Sequence, residues 1–285
     1  MQTRSRTVGI AGLGNLGMPM ALALLDAGWP VIAYDVAPNR IAECARHGAR
    51  AADSAADLAT VGILVLVVPD DAAAEELLET QELMARLPRP AAVVVHSTLL
   101  PATAQALAEH ARRIGVDYVD APVSGGDERA RAGKLTLMAG AAPGALERIQ
   151  DYLDTVASTI VHIGPPGAGC AVKLANQLMM FAALAGVHEA MELAGAYGVS
   201  GADVLAATRT STGDSWVARE WGFFDRIAQA YDAAGTPVRN RPWSKDLWEI
   251  VAAGRAADLR LPVAGLLSQQ LADTVERHAA SGRDR

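Results

Sequence analysis

The sequence predicts an α/β chain, a doubly wound parallel sheet followed by an all-helical C-terminal domain. Three observations predict it. Short, wholly apolar runs alternate with helix-like segments through the first half, as buried parallel strands joined by crossovers do. A glycine-rich turn links the first run to the first helix. Beyond about Ser158 the character changes to one last strand and a Gly/Pro break, and from Ala168 onward every segment reads as helix.

The elements follow in order. TVGIAG (7–12) is a first strand, rich in Val and Ile and bounded by glycine, and residues 16–27 are a helix with apolar faces. WPVIAYD (29–35) is a second strand, and IAECARHG (41–48) a helix closed by Gly48. GILVLVVPD (62–70) is a buried strand ending at Pro69, followed by a helix over 73–87 with its charges on one side. AAVVVHST (91–98) is another buried strand, and Pro101 opens a helix to about Arg113. VDYVDAP (116–122) and TIVHIGPPG complete the strands. Helices are expected over 168–197, 201–209, 215–230, 244–257 and 262–280, with DAAGTPVRNRP (232–242) as the most mobile loop. The boundary falls at the Gly164–Gly167 junction, giving a dinucleotide-binding domain, 1–164, and a helical domain for substrate and self-association, 165–285.

Bulk properties narrow the function. The 285 residues are 51% hydrophobic and 20% charged, ample for a sizeable core. A formal net charge of −7 argues against nucleic acid or an anionic membrane as partner. Cys44 and Cys170 lie far apart, in no metal-ligand spacing, which fits a reducing compartment. The opening MQTRSRTVGIAGLG carries only a short apolar run ending in glycines, a strand rather than a signal peptide. No run reaches about 18 uninterrupted apolar residues, and a soluble, cytoplasmic protein is expected.

GLGNLG places Gly12, Gly14 and Gly17 in GxGxxG spacing, with Asn15 and Leu16 between, directly after the first strand. The first glycine makes the tight turn, the second lets a pyrophosphate approach the backbone, and the third lets helix pack on strand. The helix start then offers N–H groups to the phosphates. The second strand ends in Asp35, 18 residues past Gly17 and near the spacing of an acid that holds the ribose 2′-OH. Asp35 repels a 2′-phosphate, so NAD is favoured, with NADP possible. Arg40 could soften that preference but reads more simply as a solvated helix residue. Ligands in such sheets sit beyond the carboxyl ends of the strands, which singles out Val68 and Pro69, and Ser97 and Thr98. Thr98 could bond the nicotinamide half, cap the helix at Pro101, or both.

Ser124, Gly125 and Gly126 form a strand-end turn that could cradle a carboxylate, although alone it reads as a plain turn. Lys173 sits in GAGCAVKLANQLMMFAALAGV (167–187), a run with little other charge. Asn176 and Gln177 follow one turn on, on the same helix face. A lysine losing water can serve as general acid or base, although from periodicity alone it reads as a snorkelling side chain.

GLGNLGMPMALALLDAGWPV, HSTLLP, DAPVSGG, GAGCAVKLANQ and WSKDL occur in this order over about residues 7 to 280. With them the chain resembles the β-hydroxyacid dehydrogenase family, whose members include 3-hydroxyisobutyrate dehydrogenase. The resemblance implies a Rossmann-type N-terminal domain, a helical C-terminal domain and assembly as homodimer or homotetramer. It implies Lys173 as the catalytic lysine, Ser124, Gly125, Gly126, Asn176 and Gln177 as substrate-binding residues, and Thr98 and Lys245 as cofactor contacts. The substrate class would be a small 3-hydroxy acid or semialdehyde, such as 3-hydroxyisobutyrate or tartronate semialdehyde. On this reading the long helix carries Lys173 to an interdomain cleft facing the Ser124 turn. Imine-reductase-like chemistry on the same fold and a non-enzymatic NAD(H) sensor are the rivals, and the intact lysine argues against both.

Two departures from the family pattern stand out. VRNRPWSKDL replaces the usual phenylalanine and leucine ahead of KDL, so Arg239, Arg241 and Trp243 are either a wall favouring an anionic or larger substrate or a plain basic loop. Val95 and His96 stand where an acid is common, and Glu128 and Arg129 follow the Ser-Gly-Gly turn as tuning residues. His96, His162 and His188 lack ligand spacing and read as structural, so no metal is expected. Cys170 reads as buried filler, and Ser211–Trp216 as a helix-cap region.

Overall fold

The computed structural model describes residues 6–80 and 82–281. The chain divides into two compact units, Met1–Lys173 and Leu174–Arg285. By compactness the division falls within the long helix.

The first unit is built on a sheet. Its strands are β1 (Val8–Ala11), β2 (Val31–Tyr34), β3 (Arg50–Ala51), β4 (Ile63–Leu66), β5 (Ala92–Val95), β6 (Asp117–Asp120), β7 (Val123–Ser124), β8 (Leu135–Ala141) and β9 (Ala157–Gly164). The order is β3-β2-β1-β4-β5-β6-β8-β7, with β9 also paired to β8. From β3 to β6 every pairing is parallel, in register from Val8↔Val31 and Val8↔Ile63 through Val95↔Asp120. This is the Rossmann order. β1, β4 and β5 are buried at every residue, which is why they read as unbroken apolar runs. Helices α1 (Gly17–Asp26), α2 (Pro38–Arg46), α3 (Asp71–Glu75), α4 (Leu83–Arg86), α5 (Pro101–Arg113), α6 (Gly126–Arg131) and α7 (Gln150–Val156) fill the crossovers.

Three expectations are corrected here. The sheet continues past β6 with the antiparallel β8, paired to both β6 and β7. Its sequence, LTLMAGA, ends in small residues that carry little strand signal. The helix expected over 73–87 is broken into α3, a π-helical segment Glu76–Thr80 and α4. α2 starts earlier than expected, at Pro38, whose fixed φ suits the first helical turn.

The second unit is helical. It takes most of α8 (Ala168–Ala196), then α9 (Gly201–Thr208), α10 (Trp216–Arg219), α11 (Phe223–Ala233), α12 (Pro242–Ala256) and α13 (Pro262–Ser281). The helix expected over 215–230 is interrupted at Gly222, the cap residue ahead of α11. Leu174, Phe181 and Leu184 from α8 pack with Trp243, Leu247 and Ile250 from α12 and Leu267, Leu271 and Val275 from α13. By length and composition alone α8 could cross a bilayer, as the core helix of a soluble protein also could.

Candidate functional site

The nucleotide turn shows why each glycine is there. A Cβ on Gly12 would stand 2.1 Å from the Val67 carbonyl oxygen, and one on Gly17 would stand 1.9 Å from the Gly12 carbonyl oxygen. Both positions therefore exclude every other residue. Gly14 is different. A Cβ there would meet only the Arg40 Nη1, at 3.6 Å, so its bareness leaves the backbone open to a ligand rather than to the protein. No side chain caps the start of α1. Exposed backbone at a helix start suits a pyrophosphate, and these residues fit a dinucleotide. Asn15 is exposed beside the turn and Leu16 half-buried.

Asp35 follows β2 and is buried. Its Oδ2 accepts from the Leu13 N–H at 2.7 Å and its Oδ1 from the Ala37 N–H at 2.8 Å. The acid that would hold a ribose also ties the glycine turn to the end of β2. Arg40 is not merely solvated, as expected, because its Nη1 lies 3.9 Å from Asp35 Oδ2. At the next strand ends, the Val68 N–H donates to Ser97 Oγ at 2.8 Å, which fixes the segment leading into Pro69. Ser97 is one of the strand-end residues that the sequence pointed to. Thr98 is half-buried and does not cap α5. Leu100 occupies the cap position and its N–H donates to Asp71 Oδ1 at 3.0 Å. The cap expectation for Thr98 is thereby corrected.

Ser124 ends β7, and Gly125 and Gly126 have φ of 140° and 73°. Side-chain-bearing residues rarely adopt such values, so this turn needs both glycines. Arg129 packs against it. A Cβ on Gly125 would lie 3.0 Å from Arg129 Cβ, and the guanidinium donates through Nε to the Lys134 carbonyl at 2.9 Å.

Lys173 is buried in the second turn of α8. The start of that helix is held by a residue that sequence reasoning missed, Asp120 at the end of β6. Its carboxylate accepts from the N–H groups of Gly167 and Cys170. The signal was present as an acid closing a strand just before the Ser-Gly-Gly turn. The neighbouring strand end carries His96, whose ring nitrogens lie 2.6 Å from the Ala121 carbonyl and 2.7 Å from the Tyr152 hydroxyl. Burial pushes this imidazole down to about 4, so it is neutral and structural.

In the second unit, Asn176 Nδ2 donates to Gln177 Oε1 at 3.3 Å, and Gln177 Nε2 donates to Asp246 Oδ2 at 2.6 Å. Lys245 Nζ lies 3.2 Å from Asp246 Oδ1 and 2.7 Å from Glu249 Oε1. Three predicted residues, Asn176, Gln177 and Lys245, are thus joined through Asp246. Burial works against the Lys245 charge, but Asp246 and Glu249 outweigh it and hold the ammonium above its ordinary pKa. Glu249 was missed, although its i+4 spacing from Lys245 is a legible pairing signal.

The basic loop ahead of KDL is corrected. Arg241 is buried, with Nη2 donating to Asp232 Oδ1 at 2.7 Å and Nη1 to Glu276 Oε2 at 2.8 Å. Trp243 is fully buried and donates to Glu276 Oε1 at 2.9 Å. Both are internal supports of the helical unit, and only Arg239 stays exposed. Arg241 thus ties the end of the 232–242 stretch back to Asp232 and to the Thr236 carbonyl. Ser215 does cap α10, accepting from the Ala218 N–H at 3.1 Å.

A dinucleotide-accepting α/β sheet followed by a helical unit defines a class, that of nicotinamide-dependent oxidoreductases. Two family models match the chain. The NAD binding domain of 6-phosphogluconate dehydrogenase covers residues 7–164, and the NAD-binding region of NADP-dependent 3-hydroxyisobutyrate dehydrogenase covers 167–285. An oxidoreductase of Mycobacterium tuberculosis is 35% identical over 93% of this chain and 92% of its own. The 2-(hydroxymethyl)glutarate dehydrogenase of Eubacterium barkeri is 30% identical over 93% of this chain and 88% of its own. The crystal structure of 3-hydroxyisobutyrate dehydrogenase from Salmonella typhimurium superposes with a TM-score of 0.76 at 30% identity, covering 92% of each chain. The chain belongs to the β-hydroxyacid dehydrogenase family of NAD(P)-dependent enzymes that act on CH–OH groups. Its cofactor is NAD, with NADP a possible alternative.

Proposed function

We propose that the protein interconverts a small 3-hydroxy acid and the corresponding semialdehyde, with Lys173 as general acid/base. The observation that carries this reading is the buried position of Lys173 on a helix anchored at its start by Asp120. Withdrawal from water at a fixed place is what a proton-transfer group requires. The activities named for the Eubacterium barkeri and Salmonella typhimurium relatives support a hydroxy acid as substrate class.

The chain's own residues divide the work. Gly12, Gly14, Asn15, Leu16 and Gly17 form the phosphate turn, Asp35 takes the ribose hydroxyls, and Val68, Pro69, Thr98 and Lys245 contribute to the nicotinamide half. When bound, NAD supplies the hydride acceptor, and the protein supplies orientation and charge. The backbone of Ser124, Gly125 and Gly126 holds the substrate carboxylate. Lys173 removes the proton from the substrate hydroxyl during oxidation and returns it to the oxygen during reduction. Asn176 and Gln177 orient the reacting oxygen, and the Gln177–Asp246 bond fixes the amide that does so.

The reading includes a homo-oligomer in the cytoplasm. Exposed Met179, Leu193, Tyr197, Trp248 and Leu266 in the helical unit support self-association, which sedimentation of the purified protein checks. The central test follows reduced-nicotinamide absorbance with NAD or NADP and a panel of small 3-hydroxy acids. Turnover is expected with NAD, and Lys173→Ala should lower kcat by about 10² to 10⁴-fold while still binding NADH. A Lys173→Ala enzyme with wild-type turnover would overturn the assignment.

A further inference from the structure

Asp120 is the last residue of β6 and is fully buried. Its Oδ1 accepts from the Gly167 N–H at 2.8 Å and its Oδ2 from the Cys170 N–H at 3.0 Å. Gly167 directly precedes α8 and Cys170 lies in its first turn. Amides there have no partner inside the helix, and negative charge at a helix start is favoured by the dipole. Lys173 follows Cys170 by three residues, so it stands one turn above the clamped amides on the same face.

The surroundings are shaped to admit this clamp. A Cβ on Gly140 would lie 2.6 Å from Asp120 Oδ1. A Cβ on Gly169 would lie 2.2 Å from the Met138 carbonyl oxygen and 2.9 Å from Asp120 Oδ2. Bare backbone on β8 and in the helix start lets the carboxylate reach both amides. Two acceptor oxygens on two amides fix the helix end in rotation as well as in translation, which one acceptor would not do.

We propose that Asp120 is a positioning residue for Lys173, its ionised carboxylate locking the first turn of α8 to the end of β6 and so setting where the ammonium group stands. This rests on the reading of Lys173 as the acid/base group. Protonation would turn one Asp120 oxygen into a hydroxyl facing an N–H donor and loosen the lock. Burial pushes the carboxyl up to about 6, against the pull of the Gly167 and Cys170 amides. The other groups facing it are the Cys170 thiol on α8 and Tyr118 on β6, with Asp71 on α3 acting on both of these. Burial raises the Cys170 and Tyr118 pKa values, so both stay neutral while Asp120 titrates.

The experiment is Asp120→Asn, which keeps shape and one acceptor oxygen, with Lys173→Ala in parallel. Each variant is measured for melting temperature, NADH affinity, and kcat and KM against pH. For a folded Asp120→Asn, kcat should fall about 10- to 100-fold with KM for the hydroxy acid and NADH affinity little changed. The wild-type fall in kcat centred near pH 6 should be absent in the variant. Wild-type kcat with the same acid limb in a folded, NADH-binding Asp120→Asn would overturn the proposal. If that variant does not fold, the wild-type profile decides. An acid limb near pH 6 supports the lock, and a flat kcat through that region overturns it. Loss of activity in Lys173→Ala alone removes only the Asp120 role. Wild-type turnover in Lys173→Ala removes the acid/base reading first and the positioning role with it.

Discussion

The two units carry their chemistry in different materials. In the first, the nucleotide turn is backbone, and its requirements are absences: no Cβ at Gly12 or Gly17 because carbonyl oxygens stand there, while Gly14 faces open space apart from Arg40. In the second, the chemistry is a web of charged side chains. Gln177 and Lys245 meet around Asp246, Lys245 also holds Glu249, and Asp232 and Glu276 meet around Arg241. A backbone site tolerates no substitution but asks little of distant residues. A side-chain site depends on partners far along the chain, and its members fail together.

The largest expected effect tests the backbone side. Gly17→Ala puts a methyl group inside contact distance of the Gly12 carbonyl, so the turn must open. A loss of about 3 kcal/mol or more and of measurable NADH binding is expected from urea denaturation and fluorescence titration. Normal NADH affinity in this variant would show the turn to be softer than its packing implies.

Arg241→Ala breaks the side-chain web instead. It leaves Glu276 and Asp232 without their cation, and both are partly shielded from water. A destabilisation of about 3 kcal/mol is expected, with KM for the hydroxy acid unchanged in the folded fraction. A raised KM at full stability would return this loop to the substrate wall.

A pH effect of similar size is common to both units. His96 in the first and His188 in the second are both pushed by burial from 6.5 down to about 4. A histidine held neutral in the fold binds fewer protons than in the unfolded chain between those values. Its stabilisation is therefore full above about pH 6.5 and is lost as pH falls toward 4. For the fully enclosed His96 the loss is about 3 kcal/mol. Asp120, raised toward 6, contributes with the opposite sign over the same range. Denaturation at stepped pH should show stability falling through this window, and His96→Gln should flatten the fall.

The smallest effect is a local cap. Ser215→Ala removes one acceptor at the start of α10 and should cost about 1 kcal/mol with no change in kcat. Its value lies in contrast with Asp120, which reaches two amides at the start of a helix that carries the proposed proton-transfer group.

Several features were legible without coordinates because their causes are local. Buried parallel strands must be apolar at every residue, so β1, β4 and β5 announced themselves. Pro101 marked the start of α5 because proline suits a first helical turn. The glycine spacing marked the phosphate turn, and the motif order marked the family. Other features depend on residues that sequence separation keeps apart. β8 showed only when paired between β6 and β7. Arg241 and Trp243 looked like an open basic loop until Glu276, more than thirty positions away, was seen to hold them both.

The sequence by itself determined the class of fold, the dinucleotide turn and the family, because periodicity, glycine spacing and motif order are properties of neighbouring residues. Only the tertiary structure decided which groups Asp120, Asp246 and Arg241 bond. A carboxylate or guanidinium has the same chemistry wherever it lies in a chain. Its role comes from the desolvated donors and acceptors that folding brings within about 3 Å of it.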